Sequence, residues 1–489
     1  MRSSILLGLG ALLALLALAA PADAGRLPRY GGHLRVPLAS LPASVDPLRL
    51  DGDDGALVGS CLFEGLTRWE GVDIVPGIAL QWIHDDQDRR WRFLLRNDVL
   101  FHDGTRCDAA AVRQSLRRLA DPRQSRHAWL LSNLVGWEDF TAGRTQDIEG
   151  IEAPETYVLE LRFALPVADL LARLALPAAG IARRKGDEWA GTGPFVVQSA
   201  APGELVLGMF RDHHAGRPYL DRIEFVSRTS GEKAIAGDVV EMERVLVGAP
   251  LPAGAARWRE PAARLGIAVV HPKSVELASA DIRQRLATGF DRAVFVRAVL
   301  GGDGEGTQLL SPREPKTVTS RATEPAGDLA TRPQQRARIV VPASEPVLRA
   351  LGERLQVHLF ALGLAADLEV LAEEPFTQAL TLGNYDIVVL GWTPPQPRVD
   401  ALEAATRIRV FATSVLVPLL GAALPDGWSA ARIAAAKDPE SVLLRGDLCI
   451  PLVLYHDLWQ TSSDLLNVQL GAAMPVLGVA NAHLEPHTP

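Results

Sequence analysis

Short strand patterns alternate with helical patterns along almost the whole chain, and this alternation limits the fold to the α/β class. Over 156–163, apolar side chains occupy every second position, which is typical of a half-buried strand. The preceding segment IEGIEAPE (148–155) is also extended, so the two predict a hairpin. In the second half, the buried strand ARIVVP (337–342) precedes an amphipathic helix over 348–362 that ends at Gly363.

Further elements are predicted in the second half of the chain. Apolar residues at helical spacing predict one helix over 280–300, which Gly301-Gly302 ends. The segments 365–371 and 384–392 are predicted to be strands, with a short helix between them. The segment 311–335 is rich in Pro, Thr and charge and has no periodicity, so we expect a surface loop or linker.

The stretch LLRNDVLFHDGTRCDAAAVRQSLRRL (94–119) predicts a strand, a turn and a helix in succession. Asp103-Gly104 is a strong turn signal. Asp108 stands directly before the helical pattern, where its carboxylate can accept hydrogen bonds from the free N–H groups of the first turn. Such a cap stabilises a helix by about 1 kcal/mol.

His102 and Cys107 in the same stretch permit a second interpretation. A Cys–His nucleophile pair requires the two side chains within hydrogen-bond reach and a third group that orients the imidazole. The sequence shows neither that third partner nor an oxyanion loop. Because the turn and the cap already explain the pattern, we favour a structural role. A periplasmic hydrolase that uses His102 or Cys107 stays as a further hypothesis.

Other motifs of catalysis and metal binding are missing from the sequence. It contains no GxSxG, no HExxH, no phosphate-binding loop with its Lys, and no paired CxxC. His213 and His214 are adjacent, so we expect them to point in different directions and to be solvated rather than to bind a metal. We therefore predict no catalytic residue, no metal and no cofactor.

The first 24 residues have the pattern of a secretory signal peptide. Arg2 supplies the positive charge, 5–20 is an apolar run, and Ala22-Asp23-Ala24 has small residues at the cleavage-site spacing. The best later apolar run, 410–424, is interrupted by a proline and is shorter than the ~20 residues of a spanning helix. We expect export to the periplasm, without a lipid anchor because no Cys ends the signal.

Charge and cysteine content exclude two further classes of protein. The chain has 50 basic and 58 acidic side chains, a net charge of −8 and no basic stripe, which argues against nucleic acid as a partner. Cys61, Cys107 and Cys449 are too few for a disulfide framework, and no two have metal-binding spacing. One disulfide plus one buried thiol, or three buried thiols, remain open.

Several segments carry a family resemblance, and they follow one another in the family's order. The segments include GGHLRVPLASLPASVDPL (31–48), WRFLLRNDVLFHDGTRCDAAAVRQSLRRL (91–119), GTGPFVV (191–197), GRPYLDRIEF (216–225) and LGNYDIVVLGW (382–392). In these segments the chain resembles the extracytoplasmic solute-binding proteins of ABC importers for oligopeptides, dipeptides and nickel. The likeness is dense to about Phe225 and thinner after it.

The resemblance implies the two-lobed periplasmic binding protein fold, in which α/β lobes joined by a hinge close over a solute held in the cleft between them. It also implies an extra domain inserted in the first lobe. Family members usually carry a helix where this chain has the loop, so we expect a trimmed second lobe. The implied domains are the first lobe at 25–60, 156–235 and 450–489, the extra domain at 61–155, and the second lobe at 236–449.

The resemblance also implies where the ligand lies. Peptide-binding members place an acidic residue a few positions after the Gly-Trp that ends this strand, where it binds the α-amino group of the peptide. Here Gly391 and Trp392 are followed by Thr393 and a Pro-rich segment, with no acid before Asp400. We predict that Gly391, Trp392 and Thr393 bind the ligand, with Asp400 and Trp129 as further candidates. The alternatives are a core position for either Trp and a solvated Asp400.

The function implied by the resemblance is solute capture without catalysis. A monomer would bind a peptide-like or other small solute and deliver it to an inner-membrane ABC permease complex. The alternative is a degenerate member that no longer imports and acts as a periplasmic sensor or interaction protein.

Overall fold

The computed structural model is a mixed α/β structure. The predicted signal peptide and most of the predicted loop at 311–335 lie outside the described residues. Within the described part of the chain, no helix has the length and apolar character that crossing a bilayer requires. The structure describes residues 30–38, 41–50, 52–70, 73–85, 87–125, 127–167, 169–227, 239–245, 251, 253–259, 263–311, 336–392, 394, 404–405, 408–409, 411–425, 428, 432–433, 436–462, 464–466, 469–470, 477–478 and 482–484.

The first sheet has seven strands among the described residues. Its central strand, His33–Leu38, runs parallel to both of its neighbours. Helix Gly52–Leu62 packs against one face, where Leu57, Val58 and Cys61 join the buried core. The strands in spatial order are Phe195–Ala201, Glu204–Met209, Arg222–Ser227, His33–Leu38, Val239–Val245, Leu458–Ser462 and Ala255–Arg259.

The second sheet has six strands in the described part of the chain. Its strand Arg264–Val270 is buried at every position, as expected for a strand covered on both faces. Helix Pro346–Ala361 packs on one face, and a separate apolar cluster covers the other. The strands in spatial order are Gly304–Gly306, Cys449–Tyr455, Arg264–Val270, Ile387–Trp392, Ala337–Pro342 and Ala366–Leu371.

The third sheet is antiparallel, with four strands among the residues described. Buried and exposed positions alternate along Arg90–Leu95, so that Trp91, Phe93 and Leu95 face a core that helix Ala109–Leu119 covers. The predicted hairpin is confirmed, because Ile151–Glu155 pairs antiparallel with Val158–Arg162. The strands in spatial order are Ala79–His84, Arg90–Leu95, Val158–Arg162 and Ile151–Glu155.

The predicted helix over 280–300 is wrong as a single helix. The chain forms Ala280–Gly289 and Arg292–Ala298, and Phe290 between them is extended with ψ of 116°. Asp291 causes the break because its side chain accepts a hydrogen bond from the backbone N–H of Val294 at 2.9 Å and so starts a new helix.

The remaining elements are short. Among the described residues, the other α-helices are Trp137–Thr141, Leu170–Leu174, Glu373–Leu382, Val417–Leu420 and Pro439–Leu444. Short 3-10 helices are Pro47–Arg49, Ala128–Leu131, Pro177–Ala179 and Gly421–Ala423, and Ala412–Leu416 is a π-helix. Two-stranded pairs are Thr67–Glu70 with Asp73–Pro76, Arg183–Lys185 with Glu188–Ala190, Leu465–Leu466 with His483–Leu484, and Gln469–Leu470 with Leu477–Gly478.

The chain passes between the first and second sheets at two points, which we call the two crossings. It leaves the first sheet at Arg259 and enters the second at Arg264, and it leaves the second at Tyr455 and returns to the first at Leu458. Strands Val239–Val245 and Ala255–Arg259 thus belong to the first sheet and Cys449–Tyr455 to the second, and the lobe boundaries at 235 and 449 stay predictions. Strand Val158–Arg162 pairs within the third sheet, and the extra domain at 61–155 also stays a prediction.

Candidate functional site

The stretch 94–119 folds as its sequence predicts. Gly104 closes the turn with φ of +82°, a left-handed conformation that favours glycine. Asp108 caps helix Ala109–Leu119, because its carboxylate accepts a hydrogen bond from the N–H of Ala111 at 2.8 Å. The cluster is therefore a turn and a cap, as the structural interpretation requires.

His102 is held by the backbone of a distant segment. Its Nδ1 accepts a hydrogen bond from the N–H of Gly191 at 3.2 Å, and its Nε2 donates to the carbonyl oxygen of Gly193 at 3.0 Å. Burial lowers the pKa of His102 to about 4, so the ring is neutral at pH 7. Since both ring nitrogens are engaged, His102 ties the turn to the GTGPF segment and offers no base to a nucleophile.

Cys107 does not have the environment of a reactive thiol. It is buried in the core of the third sheet, and burial raises the pKa of its thiol. A catalytic cysteine requires a lowered pKa and a nearby base. The geometry therefore gives the hydrolase hypothesis no support. Cys61 and Cys449 are also buried, and all three cysteines are free, which matches the second of the two predicted arrangements.

Gly391 and Trp392 lie at the end of their strand that is nearest to the first crossing. Strand Ile387–Trp392 pairs antiparallel with Arg264–Val270, so that Trp392 lies opposite Leu265 and Gly391 opposite Gly266. The segment that the resemblance marks as ligand-binding is thus placed where the chain enters the second sheet.

Gly391 is required by the close approach of Arg264. A Cβ atom at position 391 would lie 2.5 Å from Nη2 of Arg264 and 3.2 Å from the hydroxyl of Tyr455. A distance under 3 Å is too short for a carbon, so any side chain here would push the guanidinium out of place. The glycine therefore follows from packing, in addition to any contact with a ligand.

Arg264 belongs to a buried cluster of charges at the two crossings. Its Nη1 donates to Glu345 at 2.7 Å and to Asp457 at 2.8 Å, and the three side chains are only 8%, 4% and 3% exposed. Arg264 follows the first crossing, Asp457 lies in the second, and Glu345 directly precedes helix Pro346–Ala361. This crossing cluster is not predictable from the sequence, because no local pattern links the three residues.

Trp392 is half-buried and stacks on Phe411. The two ring centroids are 4.5 Å apart with an angle of 20° between the planes. The indole packs at the edge of an apolar cluster of the second sheet and keeps part of its surface accessible. This position suits either of the two interpretations of Trp392, a ligand contact or a packed end of a strand.

The other predicted ligand-binding residues are placed only in part. Thr393 and Asp400 lie outside the described residues. Trp129 lies in the turn Ala128–Leu131, next to the core of the third sheet, and its side chain is outside the described part of the structure. Gly391 and Trp392 belong to the second sheet instead. Their roles as ligand contacts stay predictions.

His213 and His214 differ from their expected arrangement. Both rings face Glu64, whose Oε1 lies 3.3 Å from Nε2 of His213 and 3.1 Å from Nε2 of His214. The expectation of two solvated rings that point apart is wrong, because the pair lies in a turn, where adjacent side chains do not alternate as they do in a strand. Although burial raises the pKa of Glu64, contacts with the two imidazoles lower it to about 2.

Comparison with known proteins supports the family resemblance. Residues 73–402 match the model of the bacterial extracellular solute-binding proteins, family 5 Middle. The chain is 21% identical to the probable D,D-dipeptide-binding periplasmic protein DdpA of Escherichia coli, over 73% of each chain. It is 29% identical to the periplasmic murein peptide-binding protein MppA of Escherichia coli, over 40% of this chain and 41% of that one.

The fold matches solved two-lobed structures. The solved structure of the Escherichia coli murein tripeptide binding protein MppA superposes with a TM-score of 0.73 over 94% of this chain and 100% of that one, at 17% identity. This likeness confirms the predicted two-lobed α/β fold. Because the family model spans more than half of the sequence, the chain belongs to the family 5 bacterial extracellular solute-binding proteins.

Proposed function

We propose that this protein is the periplasmic solute-binding component of an ABC importer. It captures a peptide-like solute between its lobes and delivers it to the inner-membrane permease complex. The observation that carries the proposal is the placement of Gly391 and Trp392 at the first crossing, beside the buried cluster of Arg264. The apparent signal peptide supports export to the periplasm.

Closure around the solute would be governed at the two crossings. A ligand shifts a protein between open and closed forms only by binding one form more tightly than the other. The crossing cluster joins Glu345 of the second lobe to both chain crossings, so any rotation of the lobes pivots close to it. A pivot of this kind keeps the hinge in the same place while the cleft opens and closes.

The class of solute is inferred from two features. The partly exposed indole of Trp392 offers an apolar, stacking surface of the kind found in ligand pockets. The names of the two relatives, a D,D-dipeptide-binding and a murein peptide-binding protein, favour a peptide-like ligand. Since no acid follows Trp392 before Asp400, contact with a free α-amino group would use another residue or a ligand without that group.

Native mass spectrometry of the protein purified from periplasm tests the proposal. We expect a mass excess from a co-purified solute, which tandem fragmentation identifies as peptide-like. Trp392→Leu should reduce the solute-bound fraction. The matched control is Trp82→Leu, which alters another half-buried Trp in the third sheet and should keep the solute.

One outcome would overturn the proposed function, and another would overturn the role of Trp392. A protein that carries no solute and shows no thermal shift with peptides would favour the sensor or interaction hypothesis. A bound solute that is lost equally in the Trp392 and Trp82 variants would remove Trp392 from the binding site.

A further inference from the structure

Glu64, His213 and His214, which we call the Glu–His–His triad, bring three metal-binding side chains to one point of the first lobe. Glu64 follows helix Gly52–Leu62, and the histidines follow strand Glu204–Met209. Nε2 of His214 lies 3.1 Å from both carboxylate oxygens, and Nε2 of His213 lies 3.3 Å from Oε1.

The triad is buried and its hydrogen bonding is incomplete. The side chains of Glu64, His213 and His214 are 16%, 4% and 8% exposed. In the described part of the structure, Nδ1 of His213 has no hydrogen-bond partner, and its Nε2 lies 3.3 Å from Oε1 of Glu64 without the geometry of a hydrogen bond. Buried polar atoms in native proteins are nearly always satisfied, so an unsatisfied imidazole that faces a carboxylate and a second imidazole indicates a missing partner.

The spacing of the donor atoms fits a transition metal. Zinc binds imidazole nitrogen and carboxylate oxygen at about 2.0–2.2 Å in a tetrahedron, so two of its ligand atoms lie about 3.4 Å apart. The measured separations of 3.3 Å and 3.1 Å are close to this value, and all the candidate ligand atoms lie within 4.8 Å of one another. Two imidazoles and one carboxylate are also a ligand set that zinc commonly takes.

The backbone around the triad fixes the ligands in place. The carbonyl oxygen of Glu64 accepts a hydrogen bond from the N–H of Ile181, and that of His213 accepts one from the N–H of Gly216. The nearby His102 cannot serve as a fourth ligand, because the backbone of 191 and 193 engages both of its nitrogens. The fourth position would therefore be left to water.

We infer that the Glu–His–His triad is a binding site for a divalent transition metal, with Zn²⁺ as the best fit. Copper and nickel ions also bind such donors, following the general order of affinity of divalent metals. The site lies in the first lobe, whereas Trp392 lies in the second sheet, so the metal would stabilise the lobe without contacting the predicted ligand segment. Binding to the folded chain raises its melting temperature by mass action.

Metal titration of the full-length protein tests the inference. The protein is purified without a histidine tag, treated with chelator and titrated with Zn²⁺ in competition with a chromophoric chelator. We expect one zinc per chain and an increase in melting temperature. His214→Gln and Glu64→Gln should lose both effects. The matched control His84→Gln alters an exposed histidine that lies 2.7 Å from Asp88 and should retain them.

The inference is overturned if the wild type binds zinc no more tightly than His214→Gln, or if His84→Gln removes the binding. Circular dichroism of the chelator-treated variants checks that they fold. If they do not, Co²⁺ added to the wild type decides. The intense visible bands of four-coordinate cobalt would support the site, and the weak spectrum of the hydrated ion would contradict it.

Discussion

Arg264→Met removes the guanidinium that Glu345 and Asp457 share and leaves an unbranched apolar side chain in its place. The two carboxylates would then face each other's charge in a site from which water is largely excluded, since they are only 4% and 3% exposed. Breaking a buried ion pair by removing one partner typically costs about 3–5 kcal/mol of stability. Both carboxylates contact this arginine, so we expect a loss within that range.

Urea unfolding, followed in parallel by circular dichroism and tryptophan fluorescence, measures this loss. Two probes are needed because a two-lobed chain can unfold in more than one step. Arg259→Met is the matched control. Arg259 contacts Asp303 at 2.6 Å near the same crossing, but the two side chains are 52% and 36% exposed. An exposed pair contributes about 1 kcal/mol or less, so the control should unfold close to the wild type.

A variant in which the three residues of the crossing cluster are all neutral separates the cost of burying charge from the effect of losing an ion pair. The triple variant Arg264→Met, Glu345→Gln, Asp457→Asn removes the charges of all three side chains, and it should recover much of the stability that the single variant loses. A stabilising role of the buried ion pairs is refuted if Arg264→Met unfolds within about 1 kcal/mol of the wild type, a change typical of exposed pairs. It is equally refuted if the triple variant is less stable than the single one.

Three further predictions concern packing, protonation and thiol reactivity. Gly391→Ala should destabilise the second lobe by about 1–3 kcal/mol in the same unfolding assay, because its Cβ would lie 2.5 Å from Nη2 of Arg264. A variant as stable as the wild type would contradict this steric clash. The folded pKa of His102, about 4, is below its ordinary 6.5, so the free energy of unfolding should fall by roughly 3 kcal/mol as the pH drops from 6.5 to 4. His102→Gln should weaken this pH dependence. If the variant shows the same pH dependence as the wild type, the loss belongs to other groups. A thiol reagent should label none of the three buried cysteines in the native protein and all three after unfolding; rapid native labelling would contradict their burial.

Much of the fold could be predicted from periodicity and from the order of family-like segments. The hairpin of 148–163, the strand at 337–342 and the capped helix after Asp108 follow from local patterns, and the structure confirms them. The sequence pattern over 280–300 does not show that this segment forms two helices instead of one. Apolar spacing continues through Phe290, whereas the capping hydrogen bond of Asp291 starts a second helix within the pattern.

The charged sites could not be predicted because their residues are far apart in sequence. Arg264 contacts Glu345 across 81 positions and Asp457 across 193, and Glu64 contacts His214 across 150. No spacing rule links such positions, and only tertiary packing brings them together. The family resemblance, by contrast, points to Gly391, whose contact with a ligand stays a prediction, and the structure adds a packing reason for the glycine.

Isothermal titration calorimetry is the most direct test of solute capture. The protein is unfolded and refolded to remove any bound solute and is then titrated with di-, tri- and tetrapeptides and with single amino acids. Solute capture in the cleft predicts one-to-one binding to at least one peptide class, with a negative heat-capacity change as apolar surface is buried, and much weaker binding by Trp392→Leu. No heat of binding from any peptide would contradict it.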